Sequence, residues 1–196
     1  MGRKSFPARM PRYAAGIRLQ DARGTVARSW WAKRFQESLE PMNFLARLGR
    51  ARAYALGGQV LSISSPLGPH VEATVMGVRA EPYRVAMDWR APSGEARGRI
   101  IARLRAEPMF AARLLANDMP TEIEAIFRSE GFHLFPGGTL APGRYDVTTS
   151  CTCPDYANPC KHSLAVLLLL GEEMARRPAL LLALRGIPLE ELCDED

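Results

Sequence analysis

The sequence predicts an α+β fold: an antiparallel β-meander packed with helices, followed at the C-terminal end by a small hairpin–helix unit. Three features predict it. Apolar residues alternate with period two between Gln59 and Trp89, they recur at helical spacing on both sides, and three cysteines with a histidine precede the apolar run Leu164 to Leu170.

Residues 1–28 are basic and broken by Pro7, Pro11, Gly16 and Gly24, which predicts a loose arm. Ser29 is placed to cap a helix with Trp31, Phe35 and Leu39 along one stripe. That stripe reads as core packing in preference to base stacking. Leu61 and Ile63 then point one way. After the turn Ser65-Pro66-Leu67-Gly68-Pro69, Val71, Ala73 and Val75 alternate, and past Glu81-Pro82 so do Tyr83, Val85, Met87 and Trp89. Pro92-Ser93-Gly94 ends the meander. Ile100, Ile101 and Leu104 share one helical face, and Phe110, Leu114 and Leu115 another after Pro108. Thr121-Glu122-Ile123-Glu124 matches a capping box, and Gly131 is placed to stop the helix carrying Ile123, Ile126 and Phe127. Pro136-Gly137-Gly138 turns the chain into a short strand, Arg144 to Cys151. Ser163 to Leu170 is apolar on every side, so a helix there must be buried over most of its surface. Pro178 begins a last helix through Leu184, stopped by Gly186 and Pro188.

With 196 residues, 47% of them hydrophobic, the chain suits one domain with an appendage or two small domains sharing a core. The divisions expected are a basic flexible arm over 1–28, an α+β domain over 29–142, the cysteine-bearing unit with its helices over 143–187, and an acidic tail over 188–196. No apolar run approaches the ~20 residues of a membrane span, and the N-terminus lacks the apolar stretch of a secretory signal. A cytoplasmic, nucleoid-accessible protein with no membrane partner is the expectation.

The net charge of +5 is unevenly spread: +8 over residues 1–50, +2 over 51–100, −1 over 101–150 and −4 over 151–196. The first half is therefore the candidate to face a polyanion. Arg3, Lys4, Arg9, Arg12, Arg18, Arg23 and Arg28 form an electrostatic arm, and Lys33, Arg34, Arg47, Arg50 and Arg52 a folded patch. Arginine favours bidentate phosphate contact. An Ala- and Arg-rich composition also follows from a GC-rich genome, and solvated surface arginines are the plain alternative.

Four cysteines are too few for a disulfide scaffold, and Cys193, in ELCDED, reads as a free surface thiol. The others lie in CTCPDYANPCKHS, as Cys-x-Cys, six residues, then Cys-x-His. Zinc takes four ligands tetrahedrally, and three thiolates with one imidazole is an established structural set. Residues i and i+2 of a strand share a face, so Cys151 and Cys153 present their sulfurs together. Residues two apart on a helix point to roughly opposite sides, which puts Cys160 in the turn after Pro159 and His162 in the first helical turn. One structural zinc ion held by Cys151, Cys153, Cys160 and His162 follows. The positive end of the helix and Lys161 compensate its net negative charge. Iron and a Cys151–Cys160 disulfide are the competing readings, and a cytoplasmic setting opposes the disulfide.

Four ligands leave no coordination position open for a substrate. No phosphate-binding loop or nucleophile–base pair is visible: Asp88 and Asp118 stand isolated, and Glu172-Glu173 and Glu190-Glu191 read as solvated helix surface. His70 and His133 have no neighbouring Cys or His and read as structural or surface residues. The chain reads as no enzyme, with no small-molecule substrate.

Cys-x-Cys…Cys-x-His before an apolar helix resembles the SWIM zinc finger, over roughly residues 143–172. In that family a short hairpin supplies the first two ligands and a helix start the last two. Tyr156 stands where the family often has an aromatic residue covering the metal knuckle. The remainder is similar to bacterial SWIM-finger proteins whose genes tend to accompany Swi/Snf-type helicases. There SWWAKRFQESLE resembles an N-terminal Trp-Trp segment, with Ala32 where Gly usually follows the pair, and GRARAYALGGQV leads into a meander ending in EPYRV. The resemblance implies an accessory domain that binds DNA or proteins, with no catalytic activity and no helicase motif of its own. Two functions are expected from this: salt-dependent nucleic-acid binding, with DNA favoured, or an adaptor that docks on a Swi/Snf-type helicase.

Overall fold

A computed structural model describes residues 11–20, 29–39, 45–64, 68–136, 139–141 and 144–193. Along the chain run α1 (Trp30–Leu39), α2 (Leu45–Leu56), β1 (Val60–Ile63), β2 (His70–Val75), β3 (Tyr83–Trp89), α3 (Gly94–Arg105), α4 (Pro108–Leu115) and α5 (Glu122–Ser129). They are followed by β4 (Thr139–Ala141), β5 (Arg144–Tyr145), β6 (Val147–Cys151), α6 (Lys161–Arg176), α7 (Ala179–Leu184) and α8 (Glu190–Cys193). The period-two stretch forms the meander β1-β2-β3, and β6 pairs antiparallel with β3 to complete a four-stranded sheet in the order β1-β2-β3-β6. The unit that bears the cysteines is thus stitched to the meander by strand pairing. Gly137-Gly138 of the turn expected after Pro136, and Ser65-Pro66-Leu67 of the earlier turn, fall outside the described residues.

Val71, Ala73 and Val75 on β2 and Tyr83, Val85, Met87 and Trp89 on β3 are buried, while His70, Glu72, Arg84 and Asp88 face solvent, as a sheet with one covered face requires. Strand β1 departs from the expected pattern. Val60 is its buried residue, Leu61 and Ile63 are half-buried, and the register with β2 slips between Val60 and Ser62. Such an irregularity turns the side chains beyond it towards the other face.

Helix α6 runs through the middle of the core. Leu164, Ala165, Val166, Leu167, Leu169 and Leu170 are buried around its circumference, and it packs against α1, α2, α7 and the sheet. Ala51 and Ala55 of α2 lie fully buried, small enough to bring the two helices close. In α1 the Ser29 Oγ accepts the Ala32 N–H at 3.4 Å, and the tryptophans are committed to internal bonds. Trp30 Nε1 donates to the Met119 carbonyl at 2.8 Å and Trp31 Nε1 to that of Met174 at 3.1 Å. The aromatic stripe is core.

Other expectations are corrected. The loose arm is held at residues 11–20: Ile17 bridges Val60, the Gly16 N–H donates to Gly58 O at 2.9 Å and the Leu19 N–H to Ala55 O at 3.0 Å. A Cβ on Gly16 would sit 2.1 Å from the Val60 carbonyl oxygen, so this docking needs glycine. Glu172 is buried and accepts the Gln20 N–H at 3.0 Å, so it is not solvated surface. The Thr121 capping box does not form, because Thr121 itself has helical angles (φ −65°, ψ −28°), but the stop at Gly131 (φ 76°) stands. Leu115 is 63% exposed and does not join Leu114 in the core. The acidic tail is partly α8, with Leu192 buried and Glu191 2.6 Å from Arg97.

The strand expected from Arg144 to Cys151 is broken at Asp146. This buried carboxylate pairs with Arg185 Nη2 at 2.7 Å, and its carbonyl takes the Arg90 N–H at 2.7 Å. Arg185 is fully buried, donates to the carbonyls of Leu134 and Arg90 at 3.0 Å each, and lies 5.3 Å above the Trp89 ring. Burial lowers its pKa and the Asp146 charge opposes that shift. This knot ties α7, β6 and the end of β3 together.

Candidate metal centre

Strand β6 ends at Cys151, opposite Val85 of β3. The ladder runs one residue further, with the Thr152 N–H donating to Arg84 O and the Arg84 N–H to Thr152 Oγ1, both at 3.0 Å. Cys153 lies just past the strand in a bend, so the shared strand face expected for the first two cysteines is replaced by a turn that folds the second sulfur back. Cys160 caps α6 in an extended conformation (φ −84°, ψ 174°), and His162 is the second helical residue. Between them, Asp155 Oδ1 accepts the Ala157 N–H at 3.2 Å, and Asn158 Nδ2 reaches back to the Thr149 carbonyl at 2.6 Å.

The four ligand atoms of Cys151, Cys153, Cys160 and His162 lie within 4.8 Å of one another. His162 Nδ1 stands 3.8 Å from Cys151 Sγ and 3.7 Å from Cys160 Sγ. Zinc bonds of ~2.3 Å to sulfur and ~2.0–2.1 Å to nitrogen give tetrahedral edges of roughly 3.5–3.8 Å, so the donors fit the ion. Backbone amides support the sulfurs: the Cys153 N–H reaches Cys151, the Asp155 N–H Cys153, and the Ser163 N–H Cys160. Each bond favours a thiolate. The cluster can hold one zinc ion.

The pKa of Cys160 is lowered to about 2, by the hydrogen bond from Cys151 first, then by His162 and the Ser163 N–H, against desolvation. Cys151 is raised correspondingly by that same hydrogen bond and by burial, and Cys153 is raised mainly by burial.

His162 is buried between two tyrosines, its ring 5.0 Å from Tyr54 and 4.7 Å from Tyr83, and its Nε2 has no hydrogen-bond partner. An imidazole that turns Nδ1 to a metal carries its proton on Nε2, here packed against rings. Tyr54 and Tyr83 therefore cover the histidine ligand, and Tyr156 stands away in solvent: its side chain is 99% exposed on the loop between Cys153 and Cys160. Sequence reasoning placed Tyr83 in the core and did not single out Tyr54. Their alternation and helical spacing do not distinguish packing on a metal ligand from packing on other core residues.

Cations ring this end of the molecule. Lys161 Nζ lies 5.7 Å above the Tyr54 ring, Arg79 lies 5.6 Å above that of Tyr83, and Arg84 lines a groove with Arg79 and Thr152. The Arg12 N–H bonds Gly77 O at 2.9 Å, two residues before Arg79. Arg50 stands one helical turn before Tyr54 and bears on its charge. Among the described residues none of these five has a carboxylate partner. Of the cations singled out from the sequence, Arg12, Arg18, Lys33 and Arg50 are exposed and Arg47 is half-buried. Arg34 is committed to Glu124 at 3.0 Å, and Arg52 already has an interaction partner. Arg3, Lys4, Arg9, Arg23 and Arg28 lie outside the described residues. Arg79 and Arg84 were missed because they lie in a segment of low net charge, and Lys161 was singled out only as a counter-charge to the metal site.

Asp88 and Asp118 are not isolated: they bond His70 Nδ1 and Arg113 Nε, each at 2.7 Å. No helix among the described residues is long and apolar enough to cross a membrane.

Residues 144–171 match the SWIM zinc finger family, a binding module and not a catalytic domain. The chain is 39% identical over 187 residues to the uncharacterised protein Rv2102 of Mycobacterium tuberculosis, covering 95% of this chain and 65% of that relative's length. No solved structure matches it.

Proposed function

From a chain that carries a SWIM zinc finger at residues 144–171, we propose an accessory module that binds nucleic acid in company with a Swi/Snf-type helicase. The metal serves folding. Its four donors fill a tetrahedral sphere, so a non-catalytic role goes with the site. The observation that carries the reading is the set of cations around the metal centre with no carboxylate partner among the described residues. Unneutralised charge gathered at one end is what phosphate contact uses, and such binding weakens steeply with salt. A cytoplasmic, nucleoid-associated location belongs to this reading.

The test is binding of the zinc-loaded protein to labelled single- and double-stranded DNA across a salt series. A steep negative slope supports the proposal, and no binding at low salt overturns it. In that event docking on the helicase without DNA contact becomes the better reading. One observation favours that second reading: Met109 and Leu115 of α4 are large apolar side chains 64% and 63% exposed, each available to a protein partner. Capture of the helicase, lost on Met109→Ser with Leu115→Ser, tests it.

A further inference from the structure

We infer that the metal end binds a single strand of nucleic acid, with Tyr156 as a stacking platform and the groove at Arg84 and Thr152 as the track for the backbone. This rests on the nucleic-acid reading above. Tyr156 is 99% exposed on a loop braced at both ends by metal-site cysteines. A phenol ring held in water by an ordered loop contributes nothing to the core, yet it is placed as a base-stacking residue is. Tyr13 is the second such ring, 85% exposed, and the bond of its neighbour Arg12 to Gly77 sets it beside the loop that bears Arg79.

Two hollows meet at Arg84 and Thr152, at the end of the strand that leads into the Tyr156 loop. One, of about 440 Å³, is lined by Arg79, Glu81, Tyr83, Arg84 and Thr152. The other, of about 610 Å³, crosses the open sheet face past Ser62, Thr74 and Ser150. They share Arg84 and Thr152, so the track is continuous. Its lining combines small hydroxyl side chains with Ala73 and Ala86, which leave room for a strand lying flat, and it also holds the Glu72 carboxylate. Arg79 and Arg84 sit where phosphates would pass, and Glu72 and Glu81 are the carboxylates that phosphates must avoid. Asp155, next to Tyr156, turns an oxygen inward to the Ala157 N–H.

Strand state follows from this shape. Duplex readers project a helix or β-ribbon into a groove of the duplex. Here the cations line a recess, and the protruding groups are aromatic rings. Bases can meet those rings only when unpaired.

The experiment compares anisotropy of a labelled oligothymidylate of about 15 nucleotides with that of a duplex of the same length, using the zinc-loaded full chain. The single strand is expected to bind more tightly. Tyr156→Ala should weaken it about tenfold with zinc content and duplex affinity unchanged, and Tyr156→Phe should restore it. Arg84→Glu should weaken it and flatten the salt slope. Binding that favours the duplex, or is unmoved by Tyr156→Ala, overturns this inference and leaves the parent reading standing. Binding to neither form removes both.

Discussion

Arg97, Arg99, Arg113, Arg128 and Arg177, on or just after the helices, each sit beside a carboxylate. Around the metal centre Arg12, Arg50, Arg79, Arg84 and Lys161 have none among the described residues. The two regions therefore hold their cations in different states. The contrast also shows why net charge by segment misleads. Residues 151–196 sum to −4, yet Lys161 opens α6 at the metal while Glu172 and Glu173 lie near its far end. A helix of 16 residues spans about 24 Å at ~1.5 Å per residue, well beyond the screening length at physiological salt. Those carboxylates neutralise Arg176 and Arg177 and leave the metal end positive.

Metal removal should break the contrast most severely, because structural zinc sites hold on the order of 10 kcal/mol. Cys151 belongs to the sheet and Cys160 caps the central helix, so chelation should cost the C-terminal half its helicity and protease resistance. Unchanged circular dichroism and digestion after complete chelation would refute this. The far side has its own anchor. Asp146→Ala leaves the Arg185 guanidinium buried and unpaired, at a cost of about 3–5 kcal/mol by urea unfolding with zinc still bound. Adding Arg185→Met should recover much of that loss, since the pair itself contributes little net stability. Gly16→Ala drives a methyl into the Val60 carbonyl and should cost about 1–3 kcal/mol, with the 11–20 segment opening first in hydrogen exchange. The smallest effect belongs to His70. The hydrogen bond to Asp88 raises its pKa above 6.5, so its contribution to stability is present below the unfolded value and lost as pH rises through the folded one. An NMR titration should show that elevation, and Asp88→Asn should remove most of it, the remainder coming from Glu72.

Much of this was legible in the sequence. The alternation at Val71–Val75 and Tyr83–Trp89 reflects burial of one sheet face, and the Cys-x-Cys…Cys-x-His spacing is fixed by what one ion can reach. The pairing of β6 with β3 was not legible, because partners some sixty residues apart leave no periodic mark. The β1 irregularity was hidden for a related reason, since Leu61 and Ile63 alternate correctly for a strand without a bulge. Glu172 looked like a surface charge, and Arg185 carried no mark of burial; only their tertiary partners make burial tolerable. Tyr156 was misplaced by analogy: its position beside the metal ligands says where the ring starts, not which way it points.

The most direct test reverses charge in each region of the same protein. Arg84→Glu and Lys161→Glu at the metal end are compared with Arg128→Glu and Arg177→Glu on the helical side, by DNA affinity across salt with folding checked by zinc content. The expected result is that each metal-end reversal weakens binding and reduces the salt slope by about one, while the helical-side reversals leave both unchanged. Equal losses from both pairs, or loss from the helical side alone, would contradict a nucleic-acid surface at the metal end.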